Sequence, residues 1–218
     1  MDLEDIVNME IRTYTKDLEL VSERRKHIMD CASKVFLEKG YRGSNMRNLA
    51  EACAMSTVSI YHYIGSKNDI LHLLCLDASD LTRQLEDFRS QLDDVSPTEA
   101  LIRCIKYYFN REATYSDRVI LFQREISNFS HEDRHLILSL QIEVVHFFEN
   151  LLKEGINAGE FKVDDPLLVA HDILMRGQDY AFRRWFLKNI YTIEEYTEHY
   201  INLILRCIVA DRSEETTI

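Results

Sequence analysis

Two prolines and six glycines are all that interrupt 218 residues. Each such residue marks a place where a helix stops or the chain turns. A chain this poor in them favours few turns and long helices over a many-stranded fold. Apolar residues make up 46% of the chain, enough for a substantial core. They recur at three- and four-residue steps, with no β-type alternation, internal repeat or low-complexity tract. An all-α protein of about nine helices is expected.

Start and stop signals divide the chain. Ile28, Cys31, Ala32, Val35 and Phe36 form the apolar stripe of a helix that starts at Ser22 and ends at Lys39-Gly40, with Gly40 as the left-handed cap. Ser44-Asn45 is good N-cap chemistry for a second helix burying Met46, Leu49, Ala50 and Cys53. The pattern breaks at Ala54-Met55-Ser56, and Ser56 can cap a third helix from Thr57 to about Tyr63. A fourth starts at Lys67. Three short helices in about 45 residues, with a tight turn between the second and third, are the layout of a helix-turn-helix module.

Longer helices follow. Ser96-Pro97-Thr98-Glu99 combines an N-cap serine, proline at the first helical position and glutamate at the third. Ser116-Asp117 starts a shorter helix to Ile126. Ser130 to Asp133 leads into a long one ended by Gly155 and Gly159. Asp165-Pro166 opens a helix to about Lys188, and Thr192-Ile193-Glu194-Glu195 opens the last. The expected domains are an N-terminal extension (1–20), the helix-turn-helix domain (21–67), a larger helical domain (68–211) and a tail (212–218).

The net charge of −11 is unevenly spread. Residues 21–67 hold eight basic side chains (Arg24, Arg25, Lys26, Lys34, Lys39, Arg42, Arg47, Lys67) and four acidic ones, a net of +4 that leaves −15 on the rest. Phosphates need only local positive potential. The five cysteines form no C-x-x-C pair and read as buried reduced thiols, with a redox-sensing thiol as the alternative. No apolar run approaches a membrane span, and the acidic first ten residues do not resemble a secretory signal, so a soluble cytoplasmic protein is expected. No catalytic triad order, phosphate loop or paired-carboxylate frame is present, so no enzyme activity and no cofactor are expected. No metal site is expected either: His131 and His135 stand four apart without an obvious third ligand.

Residues 40–71 read G-Y-R-G-S-N-M-R-N-L-A-E-A-C-A-M-S-T-V-S-I-Y-H-Y-I-G-S-K-N-D-I-L. The segment closely resembles the N-terminal domain of the tetracycline-repressor family of bacterial regulators. The resemblance rests on Gly40-Tyr41, Met46-Arg47, Leu49-Ala50, Ser56, Ile60-Tyr61, Tyr63, Ser66-Lys67 and Ile70-Leu71. It covers about residues 22–75. Two positions depart from the family: Ala54 stands where glycine is frequent at the turn, and Thr57-Val58 replaces a lysine or proline followed by a small residue. An alanine at the turn costs little if the backbone there avoids positive φ.

The resemblance implies a DNA-binding transcriptional regulator, most simply a homodimeric repressor released from operator DNA by a small hydrophobic effector. The third helix would enter the major groove with its N-terminal half at the base edges. Thr57 and Ser59 can hydrogen-bond bases, and Val58 can pack on a thymine methyl. Tyr61 and Tyr63 either contact DNA, as the family implies, or pack within the module; His62 faces DNA or solvent. Ser44, Asn45 and Arg47 are candidates to hold a phosphate at the start of the second helix, and Lys67 another at the start of the fourth.

For the C-terminal domain the resemblance implies effector binding and dimerisation. The aromatic set Tyr107, Phe109, Phe122, Phe147, Tyr180 and Trp185 lines either a cavity or the core. Arg103, Arg124 and Arg176 lie in apolar stretches and pair either with a nearby carboxylate or with an anionic ligand group. Arg184-Trp185-Phe186, followed by Thr192 to Glu195 and Tyr200, is similar to relatives that sense fatty acyl-CoA, the leading effector class; a lipophilic drug cation is the alternative. The last two helices would pair with their copies as a four-helix bundle. Val169, Ile173, Tyr200, Ile204 and Ile208 are candidates for that interface or for ordinary core.

Overall fold

A computed structural model describes residues 17–92 and 94–209. Residues 1–16 of the expected N-terminal extension and the expected 212–218 tail lie outside the described residues. Among the described residues, ten α-helices account for almost all regular structure: α1 (Leu18–Lys39), α2 (Met46–Ala52), α3 (Thr57–Tyr61), α4 (Lys67–Ser90), α5 (Pro97–Thr114), α6 (Ser116–Glu125), α7 (His131–Asn157), α8 (Pro166–Phe182), α9 (Arg184–Leu187) and α10 (Ile193–Ile208). A 3-10 turn at Ile126–Asn128 joins α6 to the approach to α7. The all-α expectation holds.

Local signals account for most of these boundaries. Side-chain oxygens of Asn45, Ser56, Ser96, Asp165 and Thr192 each accept a hydrogen bond from the backbone N–H three residues on, at the starts of α2, α3, α5, α8 and α10. Both prolines occupy the first helical position, where no N–H is needed. Helix α1 starts four residues before the expected Ser22. Asp17 caps it by accepting from the Leu20 N–H at 3.0 Å, and the extra turn buries Val21 completely. Gly40 ends α1 at φ +73, ψ 155, a region essentially restricted to glycine.

The expected single helix from Pro166 to Lys188 is two. Helix α8 stops at Arg183, whose N–H reaches the Asp179 carbonyl at 2.8 Å, and α9 turns back so that Leu187 is buried and the Tyr180 hydroxyl donates to the Tyr191 carbonyl at 3.2 Å. No glycine or proline marks the break. Helix α7 runs past Gly155 to Asn157. Gly155 is a packing residue, because a Cβ there would overlap the Phe161 ring.

The described chain divides into two compact units. The first takes the chain up to Asp80 together with Asp117–Leu138; the second takes Leu81–Ser116 and the chain from Ser139 onward. The first is larger than the 21–67 segment read as the helix-turn-helix, because Leu121, Phe129 and Ile137 complete the core begun by Ile28, Phe36, Leu49 and Ile60. The core of the second unit is aromatic. Tyr108 and Phe109 are fully buried between Phe148 and Tyr200, with the Phe109 and Tyr200 rings stacked at 5.2 Å. Gly177 lets α8 approach α5 this closely: a Cβ there would overlap the Tyr108 ring.

Candidate nucleic-acid interface

Helix α3 is a five-residue segment held from below. Ile60 and Ile64 are fully buried in the first unit's core. Its N-terminus is tied by Ser56, whose Oγ accepts from the Ser59 N–H at 3.0 Å and lies 2.8 Å from the Ser59 hydroxyl. Its C-terminus tightens into 3-10 bonds, His62 N–H to Ser59 carbonyl and Tyr63 N–H to Ile60 carbonyl. The helix therefore ends at Tyr61 rather than near Tyr63. The outward face carries Val58, 70% exposed, with Tyr61 and His62 beside it and Thr57 and Ser59 half-buried at its edge. Such a small, mixed apolar and hydroxyl surface on a rigid helix suits base edges. Tyr63 is half-buried, packs on the core, and accepts a 3.0 Å bond from Arg25 Nε at its carbonyl.

The expected phosphate anchors divide. Asn45 caps α2 reciprocally with Asn48 and remains exposed. Arg47 is exposed and pairs loosely with Glu51 at 3.2 Å. Ser44 is different: it is buried, and its hydroxyl donates to the Tyr41 carbonyl at 2.7 Å. Lys67 likewise turns inward. Its ammonium donates to the carbonyls of Tyr41 at 2.5 Å and Ser44 at 2.8 Å and lies 4.1 Å from the Tyr41 ring centroid. Desolvation lowers the Lys67 pKa, opposed by the nearby Glu125 carboxylate. This clip holds the start of α4 against the loop before α2. With Arg25 also buried, the outward positive potential comes from fewer than eight cations.

Helix α6 is stitched to the same unit. Arg118, almost fully buried, donates to Asp30 of α1 at 2.7 Å and to Asp77 of α4. Arg124 donates to the Leu37 carbonyl at 2.9 Å, and Arg42 to Asn128 at 2.8 Å. Phe122 packs on Phe129 in the first unit's core. Arg124 and Phe122, expected in the effector pocket, thus belong to the unit that carries the helix-turn-helix.

The other expected pocket residues do not converge on one cavity. Phe109, Phe147 and Tyr180 are buried in the second unit, and Tyr107 stacks on Phe88 at 4.7 Å. Arg103 and Arg176 are half-exposed and pair with Glu99 and Asp172 one helical turn away, as helix-surface charges do. Trp185 is 73% exposed on α9. A groove of about 300 Å³ lies between α5 and the start of α10, lined by Lys106, Asn110, Ile193, Glu194, Thr197 and Glu198; none of the expected residues lines it.

For the candidate dimer residues, the burial matches the alternative of ordinary core. Ile173, Tyr200, Ile204 and Ile208 are buried within the chain's own core, and Val169 packs against it. They face inward because the α5, α8 and α10 stripes meet there. The outward large apolar residues of α8 and α10 are Leu167, Leu168, Met175 and Leu203. Two cysteines also depart from expectation: Cys207 is exposed and Cys31 only partly buried. A grouping of His27 with Cys31 and Cys53 escaped sequence reasoning, since only the folded turn brings Cys53 to α1. No helix among the described residues is long and apolar enough to cross a membrane.

Comparisons with known proteins agree with this geometry. Residues 28–74 match the family described as bacterial regulatory proteins, tetR family, and residues 94–208 match the tetracyclin repressor-like C-terminal domain. The chain is 24% identical over 196 residues to the HTH-type transcriptional regulator HbdR of Aromatoleum sp. (strain CIB), covering 89% of this chain and 85% of that one. The regulator PfmR from Thermus thermophilus superposes with a TM-score of 0.70 at 27% identity, covering 82% of this chain and 97% of that one. The regulator AibR, solved in complex with isovaleryl coenzyme A and operator DNA, shares the fold at a TM-score of 0.67 and 23% identity, covering 83% and 97% of the two chains. These relatives are regulators, not enzymes. The chain belongs to the tetracycline-repressor family of DNA-binding transcriptional regulators.

Proposed function

We propose that the protein is a dimeric repressor released from its operator by a CoA thioester. The exposed α3 face carries the DNA half of this reading: Thr57, Val58, Ser59, Tyr61 and His62 read base edges, while Asn45, Arg47 and Tyr63 position the module on phosphates. Lys67 has three N–H donors and uses two of them internally, which leaves one for a phosphate. Ser44 is a structural residue of the loop instead, its hydroxyl and N–H both donating to the Tyr41 carbonyl.

The effector half is supported by α9. Trp185 offers an exposed indole face within a segment that also carries Arg184 and Lys188. A π-surface beside cations suits the adenine and phosphates of coenzyme A. AibR, which shares the fold, carries a CoA thioester. The ligand would act by binding the operator-incompetent state more tightly than the competent one. A second reading, a lipophilic cation, draws on the groove beside Glu194 and Glu198.

The test is operator binding, measured by fluorescence anisotropy on DNA from the protein's own upstream region. It is run with a short-chain and a long-chain acyl-CoA, free coenzyme A and a lipophilic cation. An acyl-CoA is expected to weaken operator binding. Trp185→Ala should weaken acyl-CoA binding about 10-fold, the scale of one lost aromatic stack, with the operator Kd unchanged. Release by the cation alone would select the second reading, and release by neither would remove both effectors.

A further inference from the structure

We propose that His27, Cys31 and Cys53 form a site for a thiophilic d10 cation, zinc(II) or copper(I), beside the turn of the helix-turn-helix. One candidate ligand atom from each of the three residues lies within 4.8 Å of the other two. His27 and Cys31 are four residues apart on α1, so their side chains share a face one turn apart. Cys53 is the residue that closes α2, directly before the turn, and folding delivers it to that face. The Cys31 sulfur is already 3.9 Å from His27 Nε2.

The donor set defines the ion class. Two sulfurs and one imidazole nitrogen are soft ligands, which favour copper(I) and zinc(II) over magnesium, calcium or manganese. Metal–ligand bonds of about 2.0–2.3 Å put neighbouring donor atoms roughly 3.5–4 Å apart. From separations of at most 4.8 Å, the donors need to contract by about 1.3 Å at most, within reach of side-chain rotation. Copper(I) is satisfied by three such donors. Zinc(II) would take a fourth from solvent, which the exposed side of His27 admits.

The chemistry of binding balances as an exchange of protons for metal. Cys53 is buried, which disfavours a thiolate, so without metal this sulfur carries its proton. Metal entry displaces thiol protons to solvent. His27 Nε2 lies 3.1 Å from the Cys53 carbonyl, a distance at which its N–H donates. Coordination through Nε2 moves that proton to Nδ1 and breaks this bond. A bound ion would thereby replace one weak link between α1 and the turn with a covalent-strength one at Cys53, next to Ala54 and four residues before α3 begins.

The experiment uses the full-length chain, stripped of metal and kept reduced with a phosphine. Zinc(II) is titrated in competition with a chromophoric chelator, copper(I) likewise without oxygen, and cobalt(II) serves as the spectroscopic stand-in for zinc. We expect one equivalent of zinc(II) or copper(I) per chain, with sulfur-to-cobalt charge-transfer absorption. Cys31→Ser and His27→Gln lie on the more open side of the cluster, and circular dichroism verifies their fold. Each should lower the affinity by about 100-fold or more, beyond what loss of an outer-shell partner costs, and Cys31→Ser should weaken the charge-transfer band. Binding of either ion with these losses supports the site and names the ion. Failure of both ions to bind stoichiometrically, or binding that both variants leave unchanged, overturns it.

Discussion

Ala54 occupies the turn between α2 and α3 at φ +53, where a Cβ meets the following carbonyl. The sequence allowed an alanine here on condition that the backbone stayed at negative φ, and that condition fails. Ala54→Gly should stabilise the protein by about 1 kcal/mol, the αL strain less the added freedom of the unfolded chain. For a chain of this length that is a rise of about 2–4 °C in Tm by calorimetry; an unchanged or lower Tm would show that the turn relaxes. Glu112 gives a second residue-scale test. It is buried in the second unit, and desolvation lifts its carboxyl to about 7, partly offset by Arg111 at 4.0 Å. A folded pKa above the unfolded value means that the folded state holds the proton longer. Stability is therefore fully present below about 4.5 and declines as pH rises toward 7, by about 3 kcal/mol at most. Glu112→Gln should thus gain on the wild type as melts move from about pH 5 to about pH 8, and a pH-independent difference between the two would contradict this. Residue type alone was legible at such positions and orientation was not. Ser44 and Lys67 have phosphate-binding chemistry, yet the loop carbonyls of Tyr41 and Ser44 claim their donors.

At the scale of elements, the faces of α8 and α10 decide how two copies could meet. Leu168 and Met175 stand seven residues apart, two turns along one side of α8, and Leu203 is exposed on α10. We expect these, not the buried Ile173, Tyr200, Ile204 and Ile208, to cover one another in a two-fold pair. Leu203→Glu combined with Leu168→Glu should convert the dimer to a monomer by light scattering while leaving helical circular dichroism intact; a dimer that persists would place the interface elsewhere. Helix starts were the most legible level of all, because Asn45, Ser56, Ser96, Asp165 and Thr192 carry their caps in their own side chains. The break at Arg183 was not legible. Nothing local stops α8 there, and the turn is held by Leu187 burial and the Tyr180 hydroxyl, both contacts made across the break. The same logic explains the dimer stripe: a 3.6-residue period shows that α8 and α10 have apolar faces, but not which of two faces meets α5.

For the whole molecule, the question is how a chain of net charge −11 holds a polyanion. The +4 of residues 21–67 overstates the answer, since Arg25 is buried and Lys67 is largely committed to carbonyls. What remains outward is Arg47 at the start of α2, with Arg42 nearby tied to Asn128, and cations along α1. In the proposed dimer, two copies would double that set while the acidic remainder is repelled from the duplex, which would confine binding to the module face. Operator affinity should then fall steeply with salt, by about 1,000-fold or more between roughly 50 and 200 mM if six or more phosphates are contacted by the pair. Arg47→Ala should weaken all DNA sequences alike and reduce the magnitude of the log–log salt slope by about 2 for the dimer, one phosphate per chain. Val58→Ala makes the opposite prediction: an unchanged slope, but lost discrimination at the base pair its methyl groups touch. Anisotropy titrations across salt, on operator and on scrambled DNA, separate the two. If Val58→Ala altered the slope, or Arg47→Ala altered only sequence preference, the division of α2 as phosphate clamp and α3 as base reader would be wrong.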